Sequence, residues 1–72
     1  MLDKPKPITF KSYLLNGEVQ NYSVPVSGFF HQWGSDVIKL DNVWHPITVA
    51  IVESGNGQVH NALPETVFFT KY

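Results

Sequence analysis

Cysteine is absent from this 72-residue chain, so neither a disulfide framework nor a thiolate metal site can hold its fold together. A cytoplasmic protein fits that composition. Arginine is absent too: the five basic residues are Lys4, Lys6, Lys11, Lys39 and Lys71, scattered singly along a chain of formal net charge −1. Phosphate backbones are gripped by clustered Lys and Arg, and guanine edges mostly by Arg, so nucleic-acid binding is disfavoured. Long apolar runs are missing as well. The longest spans a few residues against the roughly 20 needed to cross a bilayer, and MLDKPKPITF has no apolar core of a signal peptide, which predicts a soluble, unexported protein. No stretch carries a 3.6-residue apolar period, so helix should be confined to a single turn.

What is present is apolar and aromatic. The chain is 43% hydrophobic and 14% aromatic, a supply that lets one short β-domain bury its core without staples and argues against disorder. A chain this short buries only about 60% of its unfolded surface, which leaves room for one domain.

Residues 1–6 alternate polar residues with proline and read as a mobile tail; the domain should occupy 7–72. From Pro7 the alternation places Ile8, Phe10, Ser12 and Leu14 on one side of a strand, with Thr9, Lys11 and Tyr13 on the other. Asn16-Gly17 then signals a hairpin. A three-residue loop, Asn16-Gly17-Glu18, would pair Phe10 with Val24 and Ile8 with Val26 and so unite the apolar faces. That favours a bulged turn. Pro25 cannot donate a ladder hydrogen bond, which points to an edge position, or an outward amide, for the second strand.

Gly28 to Gly34 reads as a third strand, with Phe29, His31 and Trp33 on one face and Phe30 and Gln32 on the other. Ser35 to Pro46 lacks a clean period and reads as a long loop ending in the Trp44-His45-Pro46 corner, although Val37, Ile38 and Leu40 could form a short strand. The β-branched run Ile47 to Glu53 should be the central strand, with Val49 and Ile51 in the core. Ser-Gly-Asn-Gly at 54–57 turns the chain into a strand at 58–62. Leu63-Pro64-Glu65-Thr66 suggests one 3₁₀ turn before a last strand, 67–72, in which Val67 and Phe69 point inward and Phe68 outward.

Five or six short antiparallel strands with one 3₁₀ turn before the last fit a small, strongly bent SH3-like barrel. Its expected core is Ile8, Phe10, Val24, Val26, Val49, Ile51, Val67 and Phe69. An oligonucleotide-binding-type barrel fits less well, because such barrels run longer and include a helix.

Catalytic patterns are missing. His31, His45 and His60 stand 14 and 15 residues apart, too far for a zinc-ligand pair on one helix or hairpin, and no metal is expected. The bland reading half-packs His31 beside Trp33 and leaves His45 in a loop and His60 on a solvent face. Of the carboxylates only Asp36 and Asp41 share a segment, where turn geometry and solubility explain them. No serine lies in a nucleophile-elbow pattern, and Gly55-Asn56-Gly57 lacks the helix and lysine of a phosphate loop. An enzyme, a cofactor or a small-molecule substrate is not expected.

The feature above background is aromatic. Phe29, Phe30, Trp33, Trp44, Phe68, Phe69 and Tyr72 are more large rings than one side of so small a barrel encloses, so some must be exposed. An exposed aromatic patch marks a protein-binding or self-association surface. Phe30, Trp33, Trp44 and Phe68 are the candidate contacts, with His31 and Gln32 supplying polar ones. The alternative is that 35–46 folds over the rings as a lid anchored by Trp44. The second functional class is weak single-stranded nucleic-acid binding by base stacking, in which Lys11, Lys39 and Lys71 would matter only if they converged beside Trp33.

Phe30-His31-Gln32-Trp33-Gly34, Ala50-Ile51-Val52-Glu53 and Pro64-Glu65 together resemble small uncharacterised proteins of phages and prophages in Gram-positive bacteria. The likeness would cover residues 28–72. This chain departs from the pattern in Asp41-Asn42-Val43-Trp44-His45-Pro46, where a more acidic stretch with Gly-Pro would be expected. The resemblance implies a small accessory protein and carries no catalytic residue across.

Overall fold

The computed structural model describes residues 6–70. Five antiparallel strands fill most of that range: β1 (Lys6–Leu15), β2 (Glu18–Leu40), β3 (Val43–Ser54), β4 (Val59–Ala62) and β5 (Phe68–Phe69). The 3₁₀ turn lies at Pro64–Thr66, as expected from Leu63-Pro64-Glu65-Thr66. Among the described residues no helix is long and apolar enough to cross a membrane. The expected tail at 1–6 lies outside the described residues except for Lys6, which opens β1.

Neighbouring strands run β2-β3-β4-β1-β5, and β2 also pairs with β1. The ladders of β1, β2, β3 and β4 therefore return on themselves. β2 makes this possible by its length: its first half pairs with β1 and its second with β3, and both ladders meet at Gly28, opposite Ile8 on one side and Ser54 on the other. A Cβ at Gly28 would overlap the Glu53 carbonyl oxygen, so only glycine lets the strands approach this closely. At the other end of the chain, the Thr70 N–H donates to the Pro7 carbonyl at 3.1 Å.

Ile8, Phe10, Ser12 and Leu14 are all buried, as the alternation in β1 predicts. The register differs from expectation. The first turn has two residues, Asn16 and Gly17, both at positive φ (53° and 82°), with Leu15 opposite Glu18. Two positive φ values give the turn whose twist matches the strands, and that preference wins over face matching. The mismatch is absorbed farther along, where Ser12 faces Asn21 but Phe10 faces Val26 and Ile8 faces Gly28. Residues 22–25 bulge out of the ladder there. Val24, expected in the core, is 64% exposed as a result, and Pro25 occupies the bulge, where its missing N–H costs no rung.

Two apolar clusters make the core. Ile8, Phe10, Ala50, Val52 and Ala62 form the first, with Val26, Phe30 and Val67 partly buried against it. Leu14, Val49 and Leu63 form the second, flanked by Ile38 and Ile47. The successive residues Val49 and Ala50 of β3 serve different clusters because alternate side chains point to opposite faces, which is why Val49 to Val52 is an unbroken apolar run. Ile51 is only half-buried and Phe69 exposed, so neither joins the core as expected. The last strand is shorter than the expected 67–72, and Lys71 and Tyr72 lie outside the described residues.

The stretch expected to be a loop at 35–46 is a regular hairpin. Asp41 and Asn42 (φ 50° and 63°) make a second two-residue turn, and the ladder runs from Leu40 opposite Val43 back to Trp33 opposite Ala50. Asp and Asn tolerate the left-handed conformation, so this pair turns a ribbon without glycine.

Candidate interaction surface

The rings of interest sit where two irregularities put them. Between Phe30, opposite Val52, and Gln32, opposite Ile51, the ladder shifts by one residue, and His31 is the extra one. That bulge reverses the alternation, so Phe30 and Trp33 share a face although three residues apart. Their centroids lie 5.0 Å apart, and Phe69 from β5 meets Phe30 edge-on at 5.3 Å. Phe30 is partly buried against the first cluster, while Trp33 is 53% exposed. Lys6 Nζ lies 6.0 Å from the Phe69 ring centroid, within reach of a cation–π contact.

Beyond Trp33 the outward face of the ribbon alternates through Ser35, Val37 and Lys39, opposite Thr48, Pro46 and Trp44, all exposed. Val37 faces Pro46 directly. Both tryptophans thus belong to one face of one ribbon, separated by six residues of β2, about 20 Å at a strand's rise. Trp44, also 53% exposed, lies over Gly17, where a Cβ would overlap its ring. The Lys39 N–H donates to the Gly17 carbonyl at 2.8 Å, and Lys39 Nζ stands 5.8 Å from the Trp44 ring. Trp44 does anchor the hairpin, but onto the first turn. The Phe30–Trp33–Phe69 cluster keeps its outer face.

The other sequence candidates fall elsewhere. His31 is exposed and its Nε2 lies 2.9 Å from Glu53 Oε1. Gln32 is one residue from Trp33 and on the opposite face of the strand. Phe68 is 67% exposed but alternates with Phe69, so it points away from the cluster. His45 lies on β3, exposed, opposite Ile38. Asp36 stands on a strand, its carboxylate accepting from the Val37 N–H (2.7 Å) and from Asn61 Nδ2 (2.9 Å), while Asp41 turns the hairpin.

His60 departs most from expectation. It lies opposite Val52 and so faces inward, not to solvent, with ring centroids 5.6 Å from Phe10, 4.6 Å from Tyr13 and 6.4 Å from Tyr22. Burial lowers its pKa, and its Nε2 is buried without a hydrogen-bond partner. Tyr22 leaves the ladder in the bulge to cover this histidine, and burial, with Tyr13 beside it, raises the Tyr22 pKa. No spacing in the sequence signals this cluster, which depends on the bulge.

Among the described residues no three His, Cys, Asp or Glu side chains gather as metal ligands would. A surface hollow of about 220 Å³ is lined by Pro7, Ser27, Gly28, Phe29, Gly55 and Thr70, smaller than the 300–1,000 Å³ of ordinary ligand pockets. No protein-family model matches the chain, and neither does any curated protein or solved structure.

Proposed function

We propose that the chain is a non-enzymatic binding module of the cytoplasm, a small barrel of SH3-like type, that engages a protein partner or a second copy of itself. The closed circuit of ladders supports the barrel. The ribbon face supports the function: Trp33, Val37, Pro46 and Trp44 are all exposed on one side of β2 and β3, and Trp33 is backed by Phe30, which Phe69 meets edge-on. Tryptophans on a rigid, partly desolvated platform are the anchors that dominate protein interfaces. The resemblance of residues 28–72 extends the proposal to an accessory protein of phage or prophage origin.

Single-stranded nucleic acid is the weaker reading. Lys39 stands over Trp44, at the far end of the ribbon from Trp33, and Lys11 lies on β1 beside the bulge; Lys71 is outside the described residues. The deciding experiment selects ligands from a displayed peptide library on the wild-type chain and measures them on Trp33→Ala and Trp44→Ala. Loss of at least about tenfold in affinity on either variant is expected. Ligands indifferent to both substitutions would overturn the reading, and salt-sensitive, low-micromolar binding of mixed-sequence single strands that quenches tryptophan emission would favour the alternative.

A further inference from the structure

The hydrogen bond from the Lys39 N–H to the Gly17 carbonyl fixes which way the backbone of β2 faces. In an antiparallel strand alternate residues direct both their N–H and C=O to the same side. Lys39 points away from β3, and the ladder from Trp33 to Leu40 is regular, so Trp33, Ser35 and Val37 point away from β3 as well. Among the described residues no strand pairs with them on that side; the ladder with β1 is described from Lys6, opposite Phe30, onward. The two edges of the ribbon are guarded differently. On the β3 edge Pro46, opposite Val37, presents no N–H, whereas β2 has neither proline nor lysine from Trp33 to Ile38.

This edge is complementary to itself. Antiparallel pairing about a two-fold axis at Ser35 sets Ser35 against Ser35, and Trp33 against Val37 of the other copy, twice. Aromatic and β-branched residues make favourable cross-strand pairs. On the opposite face Gly34 meets Asp36 of the other copy, so no like charges stand opposed. The Gly17 turn stops the ladder at Lys39 and the His31 bulge stops it beyond Trp33, which fixes the register. One bond must exchange: the Val37 N–H leaves the Asp36 carboxylate, which keeps Asn61.

We infer that the chain forms a two-fold dimer by pairing Trp33–Val37 of β2 with the same segment of a second copy. This rests on the aromatic-face reading above and names its occupant. The five-residue ladder makes a reversible dimer, and the partner's Val37 covers Trp33.

Sedimentation equilibrium of the full chain from about 1 μM to 1 mM, with residue-resolved amide exchange, tests it. A concentration-dependent dimer is expected, with the Trp33 and Ser35 amides slowing as it forms. Ser35→Pro removes the N–H at the axis and should weaken the dimer at least about tenfold while leaving the monomer's melting unchanged. Should that variant not fold, surface charge decides. Ser35→Lys and Ser35→Glu should each weaken self-association about two- to fivefold, and mixing them should restore it, because only a two-fold axis at this residue brings it against its own copy. A monomer throughout the range overturns the inference, as does a dimer whose Trp33 and Ser35 amides stay unprotected or whose charge variants gain nothing on mixing. None of these outcomes touches the aromatic-face reading, which stands or falls on peptides that require Trp33 or Trp44.

Discussion

His60 is enclosed by Phe10, Tyr13 and Tyr22 with an unpartnered Nε2, surroundings that favour the neutral ring over the charged one. Burial lowers its native pKa, whereas the unfolded chain takes up the proton near the ordinary histidine value. Between those two values the unfolded state binds more protons, so stability falls as pH drops through about 6.5 and levels off once the native ring is protonated too. The slope cannot exceed that of one proton. His60→Phe keeps a ring in the cluster and removes the unpaired nitrogen; it should flatten this pH dependence and leave stability at about pH 8 within roughly 1 kcal/mol of wild type. Urea unfolding of both proteins from acid to neutral pH checks it, and an unchanged slope in the variant would assign the effect elsewhere. The sequence could not locate this residue, because the alternation of β4 says only that His60 and Ala62 share a face. Which face is inward depends on the pairing of His60 with Val52.

Between elements, the contact that matters most joins the two hairpin turns. Gly17 holds φ 82°, accepts the Lys39 N–H and lies under Trp44. Gly17→Ala combines an unfavourable positive φ with displacement of the ring and should cost about 1–3 kcal/mol. Thermal melting gives the loss, and a red shift of tryptophan emission should report the freed Trp44. A variant with wild-type melting would mean the two turns are independent. Asn16-Gly17 was legible as a hairpin turn and its two-residue length was not, since face matching can be achieved at the turn or at a later bulge. The bulge at 22–25, with Pro25 and the cover for His60, left no periodic trace. The second ribbon was illegible for a related reason. Its inner face mixes Gly34, Asp36 and Ile38 and its outer face Ser35, Val37 and Lys39, so neither alternates cleanly.

At the scale of the molecule, one residue carries the passage of β2 between its two partners. Gly28→Ala would drive a methyl into the Glu53 carbonyl where both neighbours are backbone, and about 2–4 kcal/mol of destabilisation is expected from urea unfolding. A loss below about 0.5 kcal/mol would mean the ladders can separate there without harm. The missing 3.6-residue period and the strand alternation made an all-β chain legible, and the aromatic surplus made an exposed ring surface legible. The membership of that surface was not. The extra residue at His31 brought Phe30 beside Trp33, and Phe69 rather than Phe68 joined them.

The bond from Thr70 to Pro7 places the two ends of the described region within one rung of each other. The order in which the strands are threaded is therefore not what the fold depends on. A circular permutant, closed by a short Gly-Ser linker and opened in the exposed turn at Gly55-Asn56-Gly57, should give the wild-type circular-dichroism spectrum and keep the exchange protection of β1 and β3, because every ladder survives the rewiring.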